Sequence, residues 1–436
     1  MINERIPVRP DDVPEELNYI RLGGGVFLLF LGFAYYDFRM NCGAQYNEGQ
    51  VVYAALPRGM DFKAVYVCAD ALWRGLGEYL RLTSTGYPPL VTVLYLPLRL
   101  FSADLAYRLF VFILMLCGAA TVHMSMVILR PWSSLVSVNG IVNSIGIYIL
   151  LTFTYPFNFS FERGNSDIIA ALFAAGAVFA TARGRKWPAV LLLTISSQIK
   201  IYPAILSVLL LMRFGWGSII GFISLNIGCL FILGPDAFLS FLGGSRRLST
   251  MVFSWPGNHS FHSYVVNLYK AGLFSKPLAE RLIALAYLLS AGSFAALFTR
   301  HIRSFPWRRN NNNFSAQSIG PREIGIVGVC FCLMSLLPPT SHDYKLVIHI
   351  VPFLILLSSR VGWLFSNEME SRCVITVVSL LTAFLYVPRF EIMPLRVLCG
   401  GLPAGEMKTP ALVMLCVSYG YLAMRGHASD CEARSL

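Results

Sequence analysis

The residues with chemical potential in this chain gather in a few polar stretches set between apolar runs. The longest runs from Met60 to Pro89, MDFKAVYVCADALWRGLGEYLRLTSTGYPP, and carries Asp61, Asp70, Arg74, Glu78, Arg81 and Tyr87. A second, PFNFSFERGNSDIIAALF, sets Glu162, Arg163, Asn165 and Asp167 almost side by side. In SSQIKIYP, Lys200 and Tyr202 interrupt an oily segment, and in LLPPTSHDYKLVIHIVPFLIL one short turn holds Ser341, His342, Asp343, Tyr344 and Lys345. A shorter turn, GNHSFHSY, carries Asn258, His259 and His262. Carboxylates can exchange protons, and lysine, arginine and histidine can hold an anion. Such groups at a membrane surface point to chemistry there.

Each stretch also has a plainer reading. Asp70, Arg74 and Glu78 fit a solvated interfacial helix with an i,i+4 pair between Asp70 and Arg74. Asp61 stands near a membrane boundary at a helix start, where an N-cap is the competing role. Glu162 to Asp167 fit a helix entrance capped by Asn165 or Ser166 as well as they fit a pocket wall. Lys200 is either a snorkelling side chain or a binder of an anionic headgroup, since a midplane lysine costs about 2.5–3.5 kcal/mol. His342 in a loop is ordinarily solvated, but its crowding with Asp343, Tyr344 and Lys345 makes a functional turn an equal reading. His259 and His262 match no metal motif, so no metal site is assigned. Asn158 and Asn258 match the N-glycosylation pattern, as does Asn313, which falls in a loop read as cytosolic.

The elements that must position these groups are membrane helices. The chain has 436 residues, 56% hydrophobic and 13% charged, against about 25% charged in soluble domains. The fold class is an all-α polytopic membrane protein. Apolar runs read as Leu22–Tyr36, Pro88–Phe101, Leu105–Leu129, Ser134–Tyr155, Asp167–Ala182, Pro188–Met212, Trp216–Leu233, Leu278–Phe298, Ile324–Leu337, Leu346–Ser358, Cys373–Val387 and Ala411–Met424. Several fall short of the ~20 residues of a straight span, so broken and re-entrant helices are expected among about ten to thirteen membrane segments. Residues 1–21 read as a cytosolic leader without a signal-cleavage site, 22–424 as one membrane domain and 425–436 as a tail.

The net charge of +12 comes from short basic loops that set topology, not from a nucleic-acid surface. Arg183, Arg185 and Lys186 form one cytosolic cluster, and Arg300, Arg303, Arg308 and Arg309 another. Reading Pro188–Met212 as a hairpin broken at QIKIYP, and Pro88–Phe101 as re-entrant, puts every polar stretch on the opposite, non-cytosolic face. Cys42 and Cys68 share the first loop and are a candidate disulfide if that face is oxidising. No P-loop or Rossmann fingerprint is present, and no repeated halves of the kind found in many transporters are visible.

The order of these stretches resembles a known family. DFKAVY at Asp61, GLGEY, Tyr87-Pro88-Pro89, the Gly164-Asn165-Ser166-Asp167 loop, Lys200-Ile201-Tyr202-Pro203 and Asn258-His259-Ser260 follow the motif order of glycosyltransferase family 87, a branch of the GT-C superfamily. Asn165 stands where Gln is commoner, and Tyr36–Met60 is longer than expected. The resemblance implies a GT-C-like fold with a long first non-cytosolic loop. It also implies an inverting transfer of a monosaccharide, most readily mannose, from a polyprenyl-phosphate donor to a glycan or lipid-linked acceptor. By motif position Asp61 matches the family's base, Lys200 its Lys-x-Tyr-Pro cation and His342 the rim of its active site. The expected substrate contacts are Lys200, His342, Lys345, Arg163, Glu162, Asn165, Tyr87, Tyr202, Asn258 and His259. Donor, acceptor and membrane lipids are the expected partners, with no cofactor and no nucleic acid, in a bacterial cytoplasmic membrane.

The chemistry suits those residue types. A hydroxyl nucleophile needs a carboxylate to take its proton, while a phosphate leaving group needs cations rather than a second acid. A lipid-saccharide transporter and an oligosaccharide ligase or polymerase are the alternatives. The former would leave the donor intact, and the latter usually has larger Arg/His-rich loops late in the chain.

Overall fold

Proline, glycine and buried polar residues divide the apolar runs, so most of the chain folds as short helices joined by sharp corners. The computed structural model describes residues 59–82, 86–129, 138–250, 257–304, 321–359, 368–386 and 407–435. Cys42, the apolar run Leu22–Tyr36 and part of the second basic cluster lie outside them. The described residues are helical with no strand, apart from one isolated bridge between Asn258 and His342.

The helices are α1 Met60–Arg74, α2 Leu76–Leu82, α3 Pro89–Tyr95, α4 Ala103–Val127, α5 Val138–Thr152, α6 Tyr155–Arg163, α7 Asp167–Ala182, α8 Lys186–Ile199 and α9 Ser207–Phe214. There follow α10 Trp216–Leu230, α11 Pro235–Thr250, α12 Phe261–Lys270, α13 Lys276–Ser304, α14 Pro321–Leu336, α15 Ile350–Ser358, α16 Glu368–Tyr386 and α17 Lys408–Ser435. Short 3-10 turns span Leu96–Leu100, Tyr202–Leu206 and Asp343–His349.

Among these, α4 alone is long and apolar enough to cross a membrane. Up to three spans result if α6 with α7, bent by 117°, and α10 with the start of α11, bent by 101°, each count as one. Pro88–Phe101 folds as one short apolar helix, α3 continued by the Leu96–Leu100 turn, and Pro188–Met212 is broken in its middle. The break in the latter falls at Lys200, whose backbone is extended between α8 and the Tyr202–Leu206 turn. The helix at the C-terminal end continues through the expected tail to Ser435. Helix α11 and helix α12 were not among the apolar runs. Helix α11 is amphipathic with Leu239 and Leu242 outward, and α12 is short and polar at its start.

Packing follows residue size. Helix α7 buries Ala170, Ala171, Ala174, Ala175 and Ala177, and these small side chains let α4 and α8 approach closely. Helix α15 is buried along most of its length, with Ile350, Val351, Phe353, Leu354 and Ile355 in the core beside α4. Helices α4 and α10 turn Phe112, Leu116, Ile220 and Ile227 outward, a surface suited to an apolar surround.

The corner between α6 and α7 positions the site. Gly164 ends α6 at φ 62°, and the amide of Asn165 donates to the Ser160 carbonyl, the double closure of a helix end by a left-handed residue. The remaining carbonyls at that end are also satisfied: Tyr107 Oη donates to Phe161 and Glu162, and the Gly59 amide donates to Glu162 at 2.8 Å. Gly59 itself sits at φ 71° against the Tyr107 ring. The start of α1 is thereby fastened to the end of α6.

Candidate active site

Asp61 lies in the first turn of α1, but the cap position belongs to Gly59 and no side chain caps the helix. The carboxylate instead points at the α6–α7 corner. Its Oδ1 accepts from Arg163 Nη2 at 2.6 Å and its Oδ2 from Asn165 Nδ2 at 2.7 Å. The two charged side chains are only 14% and 15% exposed. Each carboxylate oxygen has a second lone pair, so a carboxylate held from one side can still accept a proton from the other.

Ser166 is the N-cap of α7 and makes no side-chain capping bond, while the preceding Asn165 links that entrance to Asp61. Its Oδ1 accepts from the Asp167 amide at 2.9 Å at the entrance of α7 while its Nδ2 holds Asp61. Those two bonds fix which end of the amide faces which partner. Asn165→Ala is expected to lower unfolding stability by about 1 kcal/mol through the lost hydrogen bonds, and to slow any reaction that uses Asp61. Thermal unfolding in detergent, read beside turnover, checks both.

A second carboxylate lies beside the first. Asp167 is fully buried in the first turn of α7. Tyr202 Oη donates a short hydrogen bond to its Oδ1, and Lys200 Nζ lies 3.7 Å from its Oδ2. Lys200 therefore turns inward to a buried partner. Its ammonium also sits 4.9 Å from the centre of the Tyr87 ring, as that of Lys345 sits 4.5 Å from the centre of Tyr202. Lys345 Nζ donates to the Thr340 carbonyl at 2.9 Å.

The His342 turn closes the cluster. His342 and Tyr344 meet edge to face, Tyr344 packs on Phe159, and Ser160 donates to the Tyr344 carbonyl. Burial pushes His342 down to about 3, with the charges of Asp61, Lys345 and Arg163 within reach, so the ring is neutral. Lys345, ahead of the apolar run, is pushed down to about 8 by burial, with Asp167 opposing and Lys200 adding to the shift. Burial likewise raises the Tyr87 phenol, which senses Lys200, Asp61 and Asp167.

Asp61, Arg163, Asn165, Tyr87, Lys200, Tyr202, His342 and Lys345 thus converge from α1, the α2–α3 link, the α6–α7 corner, the α8 break and the His342 turn. Glu162 enters through its backbone carbonyl. Asn258 and His259 stand behind the His342 turn. Asn258 accepts from the Ser341 amide at 2.7 Å and donates to the Pro339 carbonyl, and the His259 amide donates to Ser341. His259 Nε2 lies 2.6 Å from Asp343 Oδ1, and both side chains are fully buried. Asp167, Asp343 and Tyr344, named in the polar stretches but not among the expected substrate contacts, join the assembly, as does Lys408, which was not named. Asp167 carried a signal, a carboxylate opening an apolar helix two residues after Asn165. Lys408 carried none, for a lysine ahead of an apolar run reads as a topology determinant.

Arg163 balances Asp61 and Lys200 balances Asp167, which leaves Lys345 as the surplus cation of this group below the pH at which it deprotonates. The sequence model of glycosyltransferase family 87 matches residues 85–320, just over half of the chain. Asp61 and the His342 turn lie outside that stretch. No curated protein matches the chain.

Proposed function

This chain belongs to glycosyltransferase family 87, and on that premise we propose that it moves a monosaccharide, mannose, from a polyprenyl-phosphate donor to a glycan or glycolipid acceptor. The reaction takes place at the non-cytosolic face of a bacterial cytoplasmic membrane. One observation carries this reading: a carboxylate oriented by two donors shares a cluster with Lys345, Lys200 and a neutral imidazole.

In this mechanism Asp61 accepts the proton of the acceptor hydroxyl as its oxygen bonds to the anomeric carbon. The bond from that carbon to the phosphate oxygen breaks on the opposite side, so configuration inverts. The transition state has oxocarbenium character. Polyprenyl phosphate leaves with its electron pair, and Lys345 and Lys200 stabilise its growing charge. His342, being neutral, donates or accepts a hydrogen bond without adding charge. Arg163 and Asn165 hold Asp61 in line, and the tyrosines Tyr87 and Tyr202 shape the walls.

The direct test is transfer of label from polyprenyl-phosphate mannose to a mannose-bearing glycolipid by the protein in nanodiscs. Donor moved across the bilayer but left intact would replace this reading with transport. A pH prediction follows from Lys345. It is cationic below about pH 8 and loses its charge above that. The donor KM is expected to rise as pH passes through that point. Lys345→Arg, which stays charged at every accessible pH, should remove the rise, and donor saturation curves at several pH values check it.

A further inference from the structure

We propose that Lys408, Asp343 and His259 form a charge-balanced latch that seats the His342–Lys345 turn over the reacting groups, with Lys408 a positioning residue for sugar transfer; this rests on the transfer reading above. Lys408 opens α17, more than sixty residues beyond the turn and outside the family match. Its side chain is 2% exposed, and its Nζ lies 3.2 Å from Asp343 Oδ1 and 5.3 Å from the centre of the Tyr155 ring. The same oxygen of Asp343 meets His259 Nε2, while Tyr155 Oη donates to Oδ2 at 3.4 Å. Asp343 is the residue between His342 and Tyr344, so fixing its carboxylate fixes the direction in which both neighbours face.

A buried carboxylate among apolar helices needs a cation, and removing one partner of such a pair is far costlier than removing both. With Lys408 gone, His259 is the described neighbour within hydrogen-bond distance of Asp343 that can take up a proton. Among the described residues, Asp343 bonds His259, His349 of the same 3-10 turn lies within its electrostatic reach, and Lys408 of α17 and Tyr155 of α6 meet it through the shared Asp343. In Lys408→Met the turn should therefore be held while His259 is protonated and released as it deprotonates. Activity is then present at low pH and lost as rising pH takes the imidazole from charged to neutral. Asp343→Asn in the same chain removes the need for either cation.

The experiment compares wild type, Lys408→Met and the double variant Lys408→Met/Asp343→Asn, full length in nanodiscs. The first readout is transfer from labelled polyprenyl-phosphate mannose, and the second is hydrogen exchange of residues 338–349 without substrate. Lys408→Met should lose about tenfold or more in kcat at pH 8, with KM changed less, and recover towards pH 6. The double variant should regain most of kcat and show no such pH dependence. Exchange in the turn should rise and fall with kcat. Wild-type kcat and flat pH dependence in Lys408→Met, or a double variant no better than the single one, would overturn the latch. If Lys408→Met does not fold, the yield of folded protein decides: rescue by Asp343→Asn supports the latch, and no rescue overturns it. If even the wild type transfers no sugar, the exchange arm still decides the latch, and the failure falls on the transfer reading.

Discussion

Replacing Asp61 with asparagine is expected to lower sugar transfer by ~10²- to 10⁴-fold, the range for loss of a positioned general base, while the protein stays folded. The substitution keeps the shape of the side chain and one acceptor oxygen, so either Arg163 or Asn165 retains a partner. What disappears is the site that takes the hydroxyl proton. The loss should lie in kcat, with donor affinity nearly unchanged, since Lys345, Lys200 and His342 remain. Single-turnover transfer beside donor binding separates the two. Undiminished turnover by a folded Asp61→Asn protein would remove Asp61 from the chemistry.

The second large effect is steric. Gly164 sits at φ 62°, and a Cβ there would lie 2.6 Å from the Phe62 Cβ and 3.2 Å from the Tyr107 ring. Gly164→Val adds a left-handed backbone penalty of about 1–2 kcal/mol to an overpacking penalty of about 1–3 kcal/mol. Phe62 adjoins Asp61 in sequence, so relief by moving α1 away from the corner pulls the carboxylate from Arg163 and Asn165. A displacement of about 1 Å costs on the order of 10²-fold in rate. Both a lower unfolding temperature and a rate loss of that order are expected, the latter persisting at temperatures where the variant is still folded. A variant of normal stability and rate would show that α1 and α6 do not meet as closely as described.

What could be read from the residue order was mostly local. The pairing of Asp70 with Arg74 within one turn of helix was legible, and the structure shows it at 2.7 Å. So was the break at Lys200, because a charged residue before Tyr202-Pro203 cannot continue an apolar helix without cost. The α6–α7 corner was legible as a polar entrance, through Gly164 and Asn165. The partners were not. Asp61 looks like a helix cap until Arg163 and Asn165 arrive from about a hundred residues away, and Asp70 also pairs with Arg99, which no periodicity links to it. That His259 meets Asp343, 84 residues further on, is likewise visible only in the tertiary packing.

The contact between Lys408 and Asp343 also constrains how the protein is made. The His342 turn and Lys408 are separated by more than sixty residues, and at about 5–20 residues per second the ribosome needs roughly 3–13 s to go from one to the other. Throughout that interval the nascent chain holds the His342 turn, once synthesised, without the ammonium that completes it. The His259 side chain, already in place from α12, is the natural companion of Asp343 during the wait. Assembly of this site therefore ends with the docking of α17. A chain halted before Lys408 would carry every group proposed for the reaction and still lack the finished arrangement.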